Sequence, residues 1–441
     1  MWLPLRRAII GYRLGAENMK EQIRNVKAPS RVRLGLMMAA LGLAYFFSNF
    51  HRLSLGVLGS VIGEGFGLSA AQLGFLGSAF FYAYAAMQIP SGLLSDRVGT
   101  KYLIAGSCLV SAVSTIWFGL VGSVMGLAAA RALTGLSVAF VYVPALSAIR
   151  HWFGDSNLGT MTGILVAMGQ MGAVCASAPL KLAADALGWR SAFGVIGYVS
   201  IGLSILAYFA VLNVPKVPTS NLPRETGRWK AVFRPVSFSI AIWFFVTGGA
   251  RLSFQSLWGS HFFTSYLGNS PLEASGNLMW ISVGCILGAM AMGGLCDRMG
   301  SVKTLVVSSI AMSLTWICLL LLGPESPAFF VAAASMALGF FGAGSFTVGF
   351  TCVREFVGSS NTGLLTGVNN CAGFLGSAVF TQISGSFVAL FPDPTGKTGF
   401  FWMLVAFAVL CLLVTGLVTL LNREKVFGGE KGQGASVYKN K

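Results

Sequence analysis

Apolar stretches of about twenty residues, long enough for a helix to cross the hydrocarbon core of a bilayer, recur along this chain between short polar interruptions. Twelve can be traced, near 35–60, 70–94, 102–122, 125–148, 160–182, 191–212, 236–260, 273–295, 303–322, 327–351, 362–388 and 399–421. They are spans 1 to 12 below. The longest internal interruption is polar and proline-containing, Asn213 to Arg234, and it divides six spans from six. The pattern predicts an all-α integral membrane protein. Its parts are a segment 1–34, a six-helix bundle 35–212, a linker 213–235, a second six-helix bundle 236–421 and a tail 422–441.

Composition removes the alternatives. Of the 441 residues, 55% are apolar and 10% charged, where a soluble domain carries about 25% charged residues. A soluble fold of this length needs far more polar surface. The formal net charge of +16 suggests nucleic acid by itself, but a nucleic-acid binder is not this apolar. The partners expected are therefore a lipid bilayer and a small solute, without nucleic acid.

The charge has a topological reading. Residues 1–34 hold eight Lys/Arg, the linker five and the tail five. The connections after spans 2, 4, 8 and 10 lie on the same side of twelve spans and add Arg97, Lys101, Arg150, Arg298, Lys303 and Arg354. The opposite side has only Lys181, Arg190 and Lys397. The positive-inside rule then places both termini in the cytoplasm, with a cell membrane, the bacterial inner membrane, as the expected location. Residues 1–15 lack a long apolar run and a small-residue cleavage site, so they do not read as a secretory signal. A surface-lying amphipathic helix suits them. Met19-Lys20-Glu21 also reads as a beginning, so Met1 and Met19 both stand as starts. The eight cysteines are scattered in or beside the spans without metal-like spacing and read as small packing residues.

The two halves repeat each other. Val353-Arg354 to Asn361 returns Ile149-Arg150 to Asn157 at an offset of 204, continuing through Gly163/Gly367, Gly169/Gly373 and Gly172/Gly376. Gly92-Leu-Leu-Ser-Asp96-Arg97-Val-Gly99 returns at an offset of 201 as Gly293-Gly-Leu-Cys-Asp297-Arg298-Met-Gly300. Arg52-Leu53-Ser54 in span 1 returns at 199 as Arg251-Leu252-Ser253 in span 7. An even number of spans gives the halves equal orientation. Parallel repeats related by an axis along the membrane normal are a transporter signature, with the substrate site near the midplane between them.

The Asp-Arg-x-Gly motif after spans 2 and 8 resembles motif A of the major facilitator superfamily. Arg131-Ala-Leu-Thr-Gly135 resembles that superfamily's span-4 motif. The resemblance covers about residues 34–421 and implies the major facilitator fold, a functional monomer, and a gating role for Gly92, Asp96, Arg97, Gly99, Asp297 and Arg298. In that family the contact clamps the cytoplasmic side shut and breaks during transport. The span-5 Gly-Pro of drug exporters is absent; Gly169-Gln170-Met-Gly172 to Pro179 stands there.

Once the loop charges are set aside, three remain well inside spans: Arg52, Arg131 and Arg251. A central Arg costs roughly 2.5–3.5 kcal/mol on insertion scales. No carboxylate lies with them, so dipoles, cavity water or an anionic substrate must compensate. A guanidinium is always charged, and its planar fork fits carboxylate or phosphate. Tyr45, Asn49 and Arg52 share one face of span 1, and Gly56 leaves room beside them. Thr247, Arg251, Gln255 and Trp258 share a face of span 7. The arginine pair resembles that of organophosphate antiporters, while His51-Arg52-Leu-Ser-Leu looks more like the anion:cation symporters. Both relatives move organic anions. Further cavity candidates are Tyr84, Gln88, Tyr142, Gln170, Asn369 and Asn370; each is as well suited to bonding another helix. Arg131 either binds substrate, organises span 4 or assists coupling.

The expected activity is secondary transport of a small organic anion, a carboxylate ahead of an organophosphate. Its coupling is open. His51 is a candidate proton relay, because imidazole titrates near neutral pH; exchange of one anion for another needs no relay. A transporter of neutral or cationic drug-like solutes and a non-transporting anion sensor are the competing readings. Catalytic motifs such as HExxH or GxSxG are missing from the spans, and neither enzyme activity, a cofactor nor a metal is expected.

Overall fold

A computed structural model describes residues 29–154, 156–214, 234–357, 362–391 and 397–423. The expectations for residues 1–28, for most of the linker and for the tail beyond 423 lie outside the described residues. Twelve helical segments lie among the described residues. Span 1 is Arg31–Phe66, span 2 Ala70–Val98, span 3 Thr100–Leu120 and span 6 Trp189–Ala210. Span 8 is Pro271–Met299, span 9 Ser301–Leu321, span 10 Ala328–Val357, span 11 Thr362–Ala389 and span 12 Lys397–Leu421. Eleven segments are long and apolar enough to cross a membrane; span 2 falls short of that measure. Its tyrosines and Gln88 dilute its apolar run, and they reappear below at the site.

Three spans are not single helices. Span 4 runs as Val124–Val138 and Tyr142–Phe153. Pro144 has no N–H for the carbonyl of Phe140, and the chain tightens there with Phe140 N–H to Ser137 O and Val141 N–H to Val138 O. Span 5 breaks in the same way before Pro179, into Leu158–Cys175 and Ala178–Leu187. Span 7 is the most irregular. It continues to Tyr266, beyond the end near 260 expected from hydropathy, and three π-helical turns lie within it, Phe244–Gly248, Phe254–Trp258 and Phe262–Tyr266. Wide turns of this kind often occur at functional sites.

The sequence repeat is kept in the packing. Gly135 of span 4 lies against the backbone of Phe80 in span 2, and Gly339 of span 10 against Ile281 in span 8. Gly172 of span 5 lies on the Phe46 carbonyl of span 1, and Gly376 of span 11 on the Phe245 carbonyl of span 7. A Cβ at any of the four would stand 2.1 Å or less from a main-chain oxygen, so only glycine permits these approaches.

The halves meet through spans 1 and 7, 2 and 11, and 5 and 8. Their closest approaches lie toward the end opposite the termini. A Cβ at Gly56 would lie 2.8 Å from Gln255 O, one at Gly74 2.9 Å from Thr381 O, and one at Gly385 2.4 Å from Ala70 O. The room expected beside Arg52 at Gly56 is therefore taken by the backbone of the other half.

Candidate functional site

Arg52 lies in the middle of span 1 and is buried. Its Nη1 donates to Asn49 Oδ1 at 3.0 Å and its Nη2 to Tyr84 Oη at 3.2 Å. The guanidinium stacks 5.0 Å from the Tyr84 ring centre and 4.8 Å from that of Phe374. Asn49 in turn donates to Tyr45 O at 3.0 Å, and the Tyr45 ring lies 5.0 Å from that of Tyr142. The expected span-1 face of Tyr45, Asn49 and Arg52 is thus one connected cluster, joined by Tyr84 of span 2 and Tyr142 of span 4.

Arg251 occupies the matching place in span 7. Its Nη1 donates to Gln255 Oε1 at 2.7 Å and approaches Cys285 Sγ at 3.6 Å. Gln255 donates onward to Ser282 Oγ at 3.0 Å. Cys285 stands at the offset of 201 from Tyr84, so each arginine faces the same position of the neighbouring span, phenol in one half and thiol in the other. Cys285 is therefore a polar contact of Arg251 as well as a packing residue. Gly342 of span 10 makes space for the Arg251 side chain; a Cβ there would lie 2.1 Å from Arg251 Cδ. Of the remaining span-7 stripe, Thr247 donates to its own backbone at Trp243 O, and Trp258 donates to Thr381 O of span 11. The wide turns explain this divergence, because a face drawn at 3.6 residues per turn does not survive them.

Arg131 sits elsewhere. Its Nη1 donates to His51 O at 2.8 Å and its guanidinium lies 4.7 Å from the Phe80 ring centre. It binds span 4 to spans 1 and 2. The His51 ring is 1% exposed, sits beside Phe47 and Phe50, and has no hydrogen-bond partner at Nε2.

Gln88 and Asn370 meet across the two halves, with the Asn370 amide donating to Gln88 Oε1. Cys371 points at Ala85 O beside them. Asn369 is buried with neither amide atom partnered. Gln170 is half-buried and stands at the offset of 204 from Phe374. Phe374, Ser282, Cys285 and Gly342 are site-lining residues that the sequence did not single out. Only the offsets could have found Cys285 and Phe374, through Tyr84 and Gln170.

At the end bearing the termini, Gly92 and Asp96 are described only as parts of the span-2 helix. Arg97, Asp297 and Arg298 are exposed. Gly99 and Gly300 both adopt positive φ, 97° and 83°, the turn geometry that glycine serves. Asn213 Oδ1 accepts the Lys101 N–H at 3.0 Å and covers Gly99. Ser48, Ser107 and Ser111 line a small gap between spans 1, 3, 4 and 6, a lining that includes neither Arg52 nor Arg251.

Known proteins resemble this chain in sequence and in fold. Over 180 residues, 41% of the chain, it is 32% identical to a probable sulfoacetate transporter of Cupriavidus necator, and spans 42% of that protein's length. Over 405 residues it is 24% identical to a D-galactonate transporter of Escherichia coli, covering 82% of the chain and 90% of the relative. The fold matches a bacterial homologue of the human lysosomal transporter Spinster, solved in an inward-facing, unoccupied conformation. That match has a TM-score of 0.70 and 18% identity over 90% of this chain and 98% of the other. All three are transporters rather than enzymes. Residues 41–259 and 240–437 match the family profile, and the chain belongs to the Major Facilitator Superfamily of multi-pass membrane transporters.

Proposed function

We propose that this protein carries a small organic anion, a carboxylate rather than an organophosphate, by alternating access of bundles 35–212 and 236–421. The observation that carries this reading is the arginine pair at matching places in the two halves, inside spans that hold no carboxylate near them. A positive chamber of low dielectric favours anions strongly and rejects cations, which sets aside a carrier of cationic drugs. The two relatives named for sulfoacetate and D-galactonate support an organic acid as cargo.

The charge asymmetry of the loops supports cytoplasmic termini in a bacterial inner membrane. With that orientation, the closed end at Gly56, Gly74 and Gly385 faces outward and the exposed Arg97, Asp297 and Arg298 face the cytoplasm. Substrate contacts are assigned to Arg52, Arg251, Tyr45, Asn49, Gln255, Gln170 and Asn370, with Arg131 holding span 4 in place behind them. The monomer is the functional unit. Coupling runs either through protons, with His51 as relay, or through exchange of one anion for another. An imposed pH gradient that drives uptake in the wild type but not in His51→Gln selects the first; uptake that needs only anion on the far side selects the second.

The central test is uptake into proteoliposomes. Arg52→Ala is expected to abolish anion uptake while the purified protein stays monodisperse. Normal uptake by a well-folded Arg52→Ala protein would sink the proposal.

A further inference from the structure

Lys101 lies in the first turn of span 3 and Tyr208 in the last turn of span 6. Both belong to the end bearing the termini. The Lys101 ammonium is 4.2 Å from the centre of the Tyr208 ring and 5.7 Å from that of Tyr102. The two rings stand 6.1 Å apart at 60°, so the cation sits in the corner between two half-exposed phenols. Ring faces attract a cation but bring no net charge. Among the described residues no carboxylate pairs with Lys101, and neither its ammonium nor either phenol hydroxyl has a hydrogen-bond partner. The second half is built differently. Val302 stands at the offset of 201 from Lys101, and the start of span 9 meets a carboxylate, with Ser301 Oγ donating to Glu355.

The apolar surface next to this cage has a groove in it. Tyr102, Gly106, Leu109 and Val113 share one exposed face of span 3. Ile205 and Gly202 follow Tyr208 on the exposed side of span 6, one and about two turns away. The spans are bonded where Ser204 Oγ donates to Ala105 O at 2.8 Å. Gly106 and Gly202 lie on the exposed side of that crossing, and a Cβ at either would meet no atom within 4 Å. Two missing side chains thus leave an apolar channel running from the cation toward the bilayer centre.

We propose that an anionic phospholipid of the leaflet at the end bearing the termini binds here. Its phosphate takes the Lys101 ammonium and the hydroxyls of Tyr102 and Tyr208, and one acyl chain lies over Gly106 and Gly202. Charge complementarity selects an anionic headgroup, and the groove beside it selects a lipid over a free anion. The Lys101 N–H is already fixed by Asn213 Oδ1, which covers Gly99. A lipid on Lys101 therefore steadies the turn between spans 2 and 3 together with the start of the linker. None of these residues belongs to the transport site, so the inference is independent of the cargo.

The test is native mass spectrometry and thermal shift of the purified, delipidated full-length protein. The probes are dioleoyl phosphatidylglycerol, dioleoyl phosphatidylcholine and inorganic phosphate. Phosphatidylglycerol is expected to bind more tightly than phosphatidylcholine and to raise the melting temperature further. Lys101→Gln is expected to weaken its binding about fivefold, the loss expected for one basic residue at an anionic surface. Gly202→Leu is expected to weaken it with no change of charge. Lys303→Gln, which removes a cation from the first turn of span 9, is expected to leave it unchanged. Equal losses in Lys101→Gln and Lys303→Gln would mean diffuse attraction and overturn the site. Phosphatidylcholine binding as tightly overturns the anionic headgroup, and displacement of the lipid by inorganic phosphate overturns the lipid. Unchanged binding in Gly202→Leu overturns the groove. Should Lys101→Gln fail to fold, Gly202→Leu and the wild-type ranking of the probes still decide.

Discussion

Arg52 and Arg131 carry the same charge to different ends. Arg131 ends on a main-chain carbonyl and an aromatic face, the setting of a residue that fixes helices. Arg52 ends on side chains that can exchange it for a ligand. Replacing Arg131 by Ala removes a charged donor from the His51 carbonyl, which keeps the Ser54 hydroxyl, and uncovers the Phe80 ring; a hydrogen bond to a charged group contributes about 1.5–3 kcal/mol. The expected result for Arg131→Ala is a lower melting temperature of the purified protein, visible without any substrate. Tyr84→Phe keeps the ring beneath Arg52 and removes only its hydroxyl. A net hydrogen bond is worth about 0.5–1.5 kcal/mol, so anion affinity is expected to fall by roughly two- to tenfold, read by titration of the variant against the wild type. An unchanged affinity would remove Tyr84 from the site. The arginines, and Tyr45, Asn49 and Gln255 beside them, were legible in the sequence because ionic and polar side chains are costly in a span. Phe374, Cys285 and Gly342 were not legible, since an apolar or small residue in an apolar helix carries no signal of what it touches.

At the scale of the element, glycine decides how near two helices come. Gly74, Gly56 and Gly385 close the seam between the halves, and each meets backbone atoms that cannot step aside. Gly74→Val is expected to wedge spans 2 and 11 apart and shift the protein toward the conformation open at that end. Spin labels on the connections after spans 1 and 7, at Leu68 and Asn269, should then report longer distances than in the wild type; unchanged distances would exclude Gly74 from the seam. Gly339→Leu acts inside one half, where a Cβ meets Ile281 O at 1.9 Å, and should prevent folding rather than shift a conformation, judged by loss of the monodisperse species on detergent extraction. Helix existence was plain from hydropathy. The breaks at Pro144 and Pro179 follow from a missing N–H. The π-helical turns of span 7 had no counterpart in the sequence, because a wide turn depends on how neighbouring helices press on it.

At the scale of the molecule, the repeat and the site are one arrangement. Offsets of 199, 201 and 204 bring Phe46 and Phe245, Phe80 and Ile281, and Gly135 and Gly339 to corresponding contacts. The same offsets set Arg52 against Arg251 and Tyr84 against Cys285. The symmetry is broken where function needs it. Position 335 corresponds to Arg131 and is a buried serine, so only the first half has its span 4 fastened by a guanidinium. The sequence alone determined the spans, the halves and the sign of the interior charge. Hydrophobic length, loop charge and a buried cation each have a large free energy that reads directly off residue type. Only the tertiary structure decided which polar groups meet, which end is shut, and that Gly56 is a contact rather than a space. Those depend on approaches of a few ångströms between helices far apart in the chain, which no local pattern encodes.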